Sequence, residues 1–219
     1  MKKVFIILLV FAMTIPASAI DKIVYVNQNS ATASDEHEGT DPGNPWLTLN
    51  SSKWTDNMTI HIANGTYNIP VKIGIVNDNI SLIGQSRSGV ILQSMDDASF
   101  AAGTTGNTLF QLSGKNASFR SVTIKNVRDN IVKLGGAFDV LQSGNLTLTD
   151  VTLMNLVTAQ SSWSGGGAIM VRGGTLNVDN CTFEACHSNF GGAIMTYTRS
   201  TINANTVNIS NTRFINNAN

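Results

Sequence analysis

Few residues of this 219-residue chain have both the type and the spacing to do chemistry. Asp96 and Asp97 are the adjacent carboxylate pair of its repetitive part, beside the loop-like run Phe100-Ala-Ala-Gly-Thr-Thr-Gly106. Cleavage of a glycosidic bond needs two carboxylates around one cleft, one to protonate the leaving oxygen and one to attack or to activate water. Arg120 is the basic residue that would complete such a group. The plainer reading of two aspartates in a polar loop is a solvated turn. What separates the readings is whether the segment 93–115 brings its carboxylates onto one face with Asp129 or Asp139. The stretch Asp35-Glu36-His37-Glu38 with Asp41 offers oxygen ligands for a cation, and reads first as a solvated turn. His37, His61 and His187 are isolated and fit neither metal-ligand nor nucleophile–base spacing. Trp163, in Gln160-Ser-Ser-Trp-Ser164, is a loop tryptophan that could stack on a sugar ring, although a lone tryptophan is more often packing than recognition.

Self-similarity says what must position these side chains. Four segments align without gaps: Phe119-Arg-Ser-Val-Thr-Ile124, Leu148-Thr-Asp-Val-Thr-Leu153, Val178-Asp-Asn-Cys-Thr-Phe183 and Ile209-Ser-Asn-Thr-Arg-Phe214. Their first residues are 29, 30 and 31 positions apart. The outer columns are always apolar. The third column is Ser121, Asp150, Asn180 and Asn211, residue types that tolerate a left-handed backbone, so it reads as a corner between two short strands. Two positions past the last column stand Asn126, Asn155, Ala185 and Asn216, an asparagine ladder interrupted once.

A second motif interleaves with the first: Gly135-Gly136-Ala137, Gly166-Gly167-Ala168 and Gly191-Gly192-Ala193, each followed by Phe or Ile. These read as further corners, with glycine supplying the backbone and alanine the smallest side chain where coils stack. A coil of about 25–31 residues with two or three short strands cannot bury its own apolar face and must stack on its neighbours. The expected fold is therefore all-β, a right-handed parallel β-helix of about 5–7 coils, with residues 20–58 as its N-terminal cap region. In this alignment the charges do not stack. Asp150 lines up with Ser121, Asn180 and Asn211, while Asp179 lines up with Arg120, Thr149 and Ser210. Asp139 stands where the other coils have Met170 and Met195, and Arg120, Arg172, Arg199 and Arg213 fall in different columns. No catalytic cluster emerges from the columns.

Composition excludes some partners. Charged residues are 13% of the chain, the formal net charge is zero, and no basic run tracks phosphates, which argues against nucleic acid. Lys2 and Lys3, the apolar run Val4 to Met13 and Ala17-Ser-Ala19 form an export signal over residues 1–19. Its apolar run is too short to span a bilayer of roughly 30 Å. Export predicts a secreted or cell-surface protein whose domain covers 20–219, with no membrane span after cleavage. Cys181 and Cys186, five residues apart, are read as buried side chains or as a local disulfide.

Gly191-Gly-Ala-Ile194 followed by Phe214-Ile-Asn-Asn217 resembles the repeat of chlamydial polymorphic outer-membrane proteins and of adhesin-like proteins. Gly166-Gly-Ala-Ile169 leads to Phe183-Glu-Ala-Cys186, with Cys186 in place of the asparagine. The run Val24-Tyr-Val-Asn27, Asn44-Pro-Trp-Leu-Thr-Leu49, Ile60-His-Ile-Ala-Asn-Gly-Thr-Tyr67 and Asn79-Ile-Ser-Leu-Ile-Gly84 is similar to the opening of secreted pectate-lyase-like β-helix proteins. The resemblances cover most of 23–217 and imply architecture rather than activity. The chain lacks the membrane barrel of the first family and stops at Asn219 without a cap. The expectation is that it is truncated there or pairs end to end with another molecule.

The reading these features favour is a non-catalytic adhesin-like module that presents coil faces and loops to an extracellular glycan or protein. The alternative is a pectate-lyase-like carbohydrate-active enzyme, a polysaccharide lyase or glycoside hydrolase, with Asp96, Asp97 and Arg120 as its candidates. Calcium enters only under the lyase alternative, and no other cofactor is expected. Replacing Ala168 or Ala193 by a large side chain should cost about 1–3 kcal/mol through overpacking. Thermal melts check this, and unchanged curves for both variants would show that these columns are not buried corners.

Overall fold

The computed structural model describes residues 21–70, 72–94, 108–125, 135–158, 165–198 and 204–219. Residues 1–19, read from the sequence as an export signal, and Asp96, Asp97, Asn126, Asp129 and Trp163 lie outside the described residues. In chain order the strands are β1 (Lys22–Val26), β2 (Met58–Ile62), β3 (Gly65–Ile69), β4 (Ile73–Ile75), β5 (Ile80–Gly84), β6 (Val90–Ser94), β7 (Phe110–Ser113) and β8 (Asn116–Lys125). They continue as β9 (Phe138–Leu141), β10 (Asn145–Met154), β11 (Ile169–Arg172), β12 (Thr175–Asp179), β13 (Thr182–Glu184), β14 (Ile194–Thr196), β15 (Thr206–Ser210) and β16 (Arg213–Ile215).

All strand pairs are parallel and join rungs one coil apart, which makes a right-handed parallel β-helix. Three faces result. Face I runs β1-β2-β5-β8-β10-β12-β15. Face II is built from β3, β6, the second halves of β8 and β10, then β13 and β16. Face III runs β4-β7-β9-β11-β14.

The corners follow from the residue types. Between faces I and II, Ser121, Asp150, Asn180 and Asn211 all hold φ between 48° and 57°. After face II the same left-handed backbone recurs at Asn155, Ala185 and Asn216. Asparagine and aspartate tolerate it at little cost, whereas Ala185 adopts it against its preference. The glycine doublets divide two tasks. Gly135, Gly166 and Gly191 have φ of 55°, 66° and 62°. The second glycine is needed for close approach: a Cβ on Gly167 would overlap Gly192 O, and one on Gly136 would overlap Gly167 O. The alanines then carry the ladder, with Ala137 N donating to Ala168 O and Ala168 N to Ala193 O, both at 2.8 Å.

Alternate residues of β1 to β13 point into one continuous core, with Ile194 and Val207 partly buried against it and Ile209 and Phe214 of the last coil exposed. At its centre Phe110 and Phe138 stack and Phe119 meets both edge-to-face, with ring centroids 4.8–5.3 Å apart. At the first rung Trp46 bridges to Val26 and is buried, its indole N–H donating to His37 O at 2.9 Å. Outside the core, asparagines form a side-chain ladder on face I: Asn208 Nδ2 donates to Asn177 Oδ1 at 2.8 Å and Asn177 Nδ2 to Asn145 Oδ1 at 3.2 Å.

Arg87 fastens four coils at once. From the turn after β5 its Nε donates to Thr152 Oγ1 at 2.7 Å and its Nη2 to Thr182 Oγ1 at 2.6 Å. Its Nη1 reaches Asp150 Oδ1 at 3.3 Å, and Thr123 Oγ1 donates to its carbonyl at 2.8 Å. Arg87→Ala should therefore destabilise the domain by about 2–3 kcal/mol, since charged hydrogen bonds are lost and their partners left unpaired. A urea melt measures this, and a shift within error would assign the clamp no energetic weight.

Cys181 and Cys186 are free and buried, each in an inward column of the corner beside face II. Burial raises the Cys181 thiol and pushes Cys186 up to about 12. The unfolded thiol titrates near 8.5, below the folded value, so the stability tied to the neutral thiol is full below about pH 8.5 and is lost as pH rises toward the folded value. The melting temperature of the native protein should thus fall more steeply between about pH 9 and 11 than that of Cys186→Ala. Parallel slopes would show that the thiol contributes nothing.

Candidate functional site

The outward positions of face III form a column in which register places Gly74 beside Gln111, Gln111 beside Asp139, and Asp139 beside Met170. Phe138 and Val140 on either side of Asp139 enter the core, so strand alternation turns Asp139 outward. It is nevertheless 0% exposed. An outward aspartate completely shielded from water needs partners, and it has two.

Arg172, two residues along the next strand, reaches back diagonally. Its Nε donates to Asp139 Oδ1 at 3.0 Å and its Nη2 to Oδ2 at 2.5 Å, a bidentate fork. From the other side Gln111 Nε2 donates to Asp139 Oδ2 at 3.0 Å. The Gln111 amide is in turn oriented by Lys72, whose Nζ donates to Gln111 Oε1 at 3.1 Å. A chain Lys72–Gln111–Asp139–Arg172 therefore crosses the rungs of face III. The arginine side chain is 30% exposed while the carboxylate is sealed, so the cluster meets solvent through its cation. Gly74, next in the column, contributes no side chain and leaves open space beside Gln111.

A carboxylate offers about four lone-pair sites, and three are occupied here. One on Oδ1 remains. Arg172 has further N–H groups, and Gln111 a second amide hydrogen, beyond those given to Asp139. The arrangement thus joins an anionic oxygen to donors able to hold a second, developing negative charge.

The residues singled out from sequence are placed as follows. Arg120 is exposed on face I in the outward column between Ile83 and Thr149, away from the face III cluster. Asp96 and Asp97 lie outside the described residues. Asp35 and Asp41 are engaged in turns: Asp35 accepts from Leu47 N, Thr48 N and Thr48 Oγ1, and Asp41 from Gly43 N and Asn44 Nδ2. Among the described residues no three His, Cys, Asp or Glu side chains gather. The glycines and alanines of the doublet corners are placed as described above, and Asn155 and Asn216 sit at left-handed corners. Gln111, Lys72 and the Asp139–Arg172 pair were not found by aligning columns. The usable signal was Asp139 itself, a lone charge where the other coils carry methionine.

No protein-family model matches the chain, and no curated protein sequence does. Solved structures do match. The pectin methylesterase PemA from Erwinia chrysanthemi aligns at 18% identity with a TM-score of 0.50. Two pectin methylesterase structures in complex with hexasaccharides align at 18% and 20% identity with TM-scores of 0.47 and 0.45. In each case 88% of this chain is covered and it spans 65% of the length of the matched chain. At this identity the likeness establishes the fold. The expectation of a non-catalytic adhesin-like module is corrected: the solved structure that aligns with a TM-score of 0.50 is a pectin methylesterase. The expectation rested on a missing carboxylate cluster, a short array and an absent C-terminal cap; among the described residues face III gathers one carboxylate, Asp139, with Arg172 and Gln111.

Proposed function

We propose that this protein is an exported carbohydrate-active enzyme that hydrolyses ester groups on an acidic polysaccharide, with Asp139 as its nucleophile. One observation carries the reading: an outward carboxylate, 0% exposed, held by the Arg172 fork and the Gln111 amide. Glycosidic cleavage calls for two carboxylates flanking the bond. This cluster has one carboxylate and several N–H donors, which suits attack on a carbonyl. In the proposed reaction the polymer docks at Arg172, the solvent-facing member of the cluster, and its binding opens access to the carboxylate that is sealed in the free protein. Asp139 Oδ1 then attacks the ester carbon and N–H groups of Arg172 and Gln111 receive the charge on the carbonyl oxygen. The bond to the alkoxy group breaks, methanol leaves with a proton from solvent, and water hydrolyses the acyl-aspartate to restore the carboxylate.

The matched structures are named for pectin, a methyl-esterified uronic-acid polymer, which supports that substrate class here. Arg172, the exposed cation of the cluster, suits a polymer whose product carries carboxylates. The Lys2 to Ala19 segment supports export, and no described helix is long and apolar enough to cross a membrane.

Purified protein incubated with highly methyl-esterified pectin should release methanol. Asp139→Asn, checked for folding by its melt, should lower the rate by about 10²–10³-fold or more. No methanol from the native protein, or full activity in Asp139→Asn, would overturn the proposal. New unsaturated or reducing ends in place of methanol would replace it with a lyase or a glycosidase.

A further inference from the structure

At the N-terminal end of face I lies a groove of about 290 Å³ that the Asp139 cluster does not touch. We propose that it is a binding subsite for one uncharged pyranose residue of a glycan. The proposal does not depend on the esterase reading, because the groove and the cluster lie on different faces and share no residue.

Its floor is set by strand register. Tyr25 on β1 and His61 on β2 are direct partners, and both point outward between core residues. Their rings stack at 5.6 Å between centroids and 22° between planes. Both are half-buried, and the stack covers one face of each ring with the other. Pro42 and Pro45 from the segment before Trp46 add two more rigid rings. An aromatic and prolyl surface fixed in this way matches the C–H face of a pyranose at little entropic cost.

The groove's polar side chains are the Asn27 and Gln85 amides beside the Tyr25 hydroxyl and the His61 imidazole. Asn27 Oδ1 accepts from Asn29 N at 3.1 Å and Gln85 Oε1 accepts from Asn64 N at 3.0 Å. With the carbonyl oxygens taken by backbone, the amide nitrogens are left as donors for hydroxyl oxygens. No Lys, Arg, Asp or Glu is among the described residues that line the groove. Apart from the His61 imidazole, which is stacked on Tyr25, no lining group could offset the charge of a uronate carboxylate, whereas a neutral sugar loses only hydroxyl hydration that the amides replace. The volume lies at the low end of the roughly 300–1,000 Å³ typical of ligand sites, which suits a single sugar residue.

The test uses the native protein and two probes without esters, neutral β-1,4-linked galactohexaose and charged hexagalacturonate. With tyrosine-labelled protein, galactohexaose should shift the Tyr25 ring resonances saturably and leave those of Tyr67 and Tyr197 in place. By calorimetry Tyr25→Ala should bind galactohexaose at least tenfold more weakly, Gln85→Ala a few-fold more weakly, and Asp139→Asn as well as the native protein. Should Tyr25→Ala fail to fold, the native Tyr25 shift and the Gln85 variant still decide. No Tyr25 shift, unchanged affinity in the groove variants, or binding of hexagalacturonate alone would overturn the proposal. Because neither probe carries an ester, the result stands apart from whether methanol is released.

Discussion

Everything in this molecule depends on the parallel backbone ladder, which fixes successive coils about 4.8 Å apart along three faces. At that spacing a side chain's nearest neighbours are its counterparts one coil above and below. Inward columns must then be apolar and shape-matched, as the packed Phe110, Phe119 and Phe138 are. Corners must turn within a residue, which selects the left-handed backbone of Asp150, Asn180 and Asn211. Where backbones come closest, at Gly136 and Gly167, no side chain fits at all.

The same spacing disciplines the outward columns. Like charges one rung apart would repel, so these columns fill with Ser, Thr and Asn, and charges enter singly. Asp139 is such a single charge, but one withdrawn from water. Taking a carboxylate and a guanidinium out of solvent costs several kcal/mol per ion, which their attraction recovers only with good geometry and full hydrogen bonding. The fork from Arg172, itself partly in solvent, and the Gln111 amide supply the geometry but leave one lone pair of Oδ1 without a described partner. A well-packed apolar pair such as the neighbouring methionines would serve stability at least as well. The ion pair is therefore better explained by what it can do than by what it holds together.

The sequence revealed the elements that repeat and hid those that do not. The four strand segments and the glycine doublets were legible because one physical demand recurs at each coil. The corners were readable from single residue types, since few residues tolerate φ near +50°. The cluster was not, because Arg172 meets Asp139 diagonally, two residues along an adjacent strand, and Gln111 looks like any polar residue. Column-by-column comparison finds charges that stack and misses charges that pair across columns. Adjacency drew attention to Asp96 and Asp97 for the opposite reason: nearness in sequence is visible and says little about a shared face. Tyr25 and His61 escaped because the first two coils diverge from the later repeat, so their register became visible only once β1 and β2 were paired.

This separation of roles explains how a chain can share a fold with pectin methylesterases at 18% identity while matching no family model. The ladder constrains only residue class at inward and corner positions, apolar here and left-handed there, and many sequences satisfy it. Outward positions are left free of the fold's demands, so chemistry can be written onto one face without disturbing another. On face III a single anion is surrounded by N–H donors, and on face I an aromatic groove carries amides and an imidazole but no Lys, Arg, Asp or Glu. The two surfaces thus differ in charge on a shared scaffold. A rod with one surface suited to acidic sugar units and another suited to neutral ones would engage a polysaccharide of mixed charge at two places along its chain.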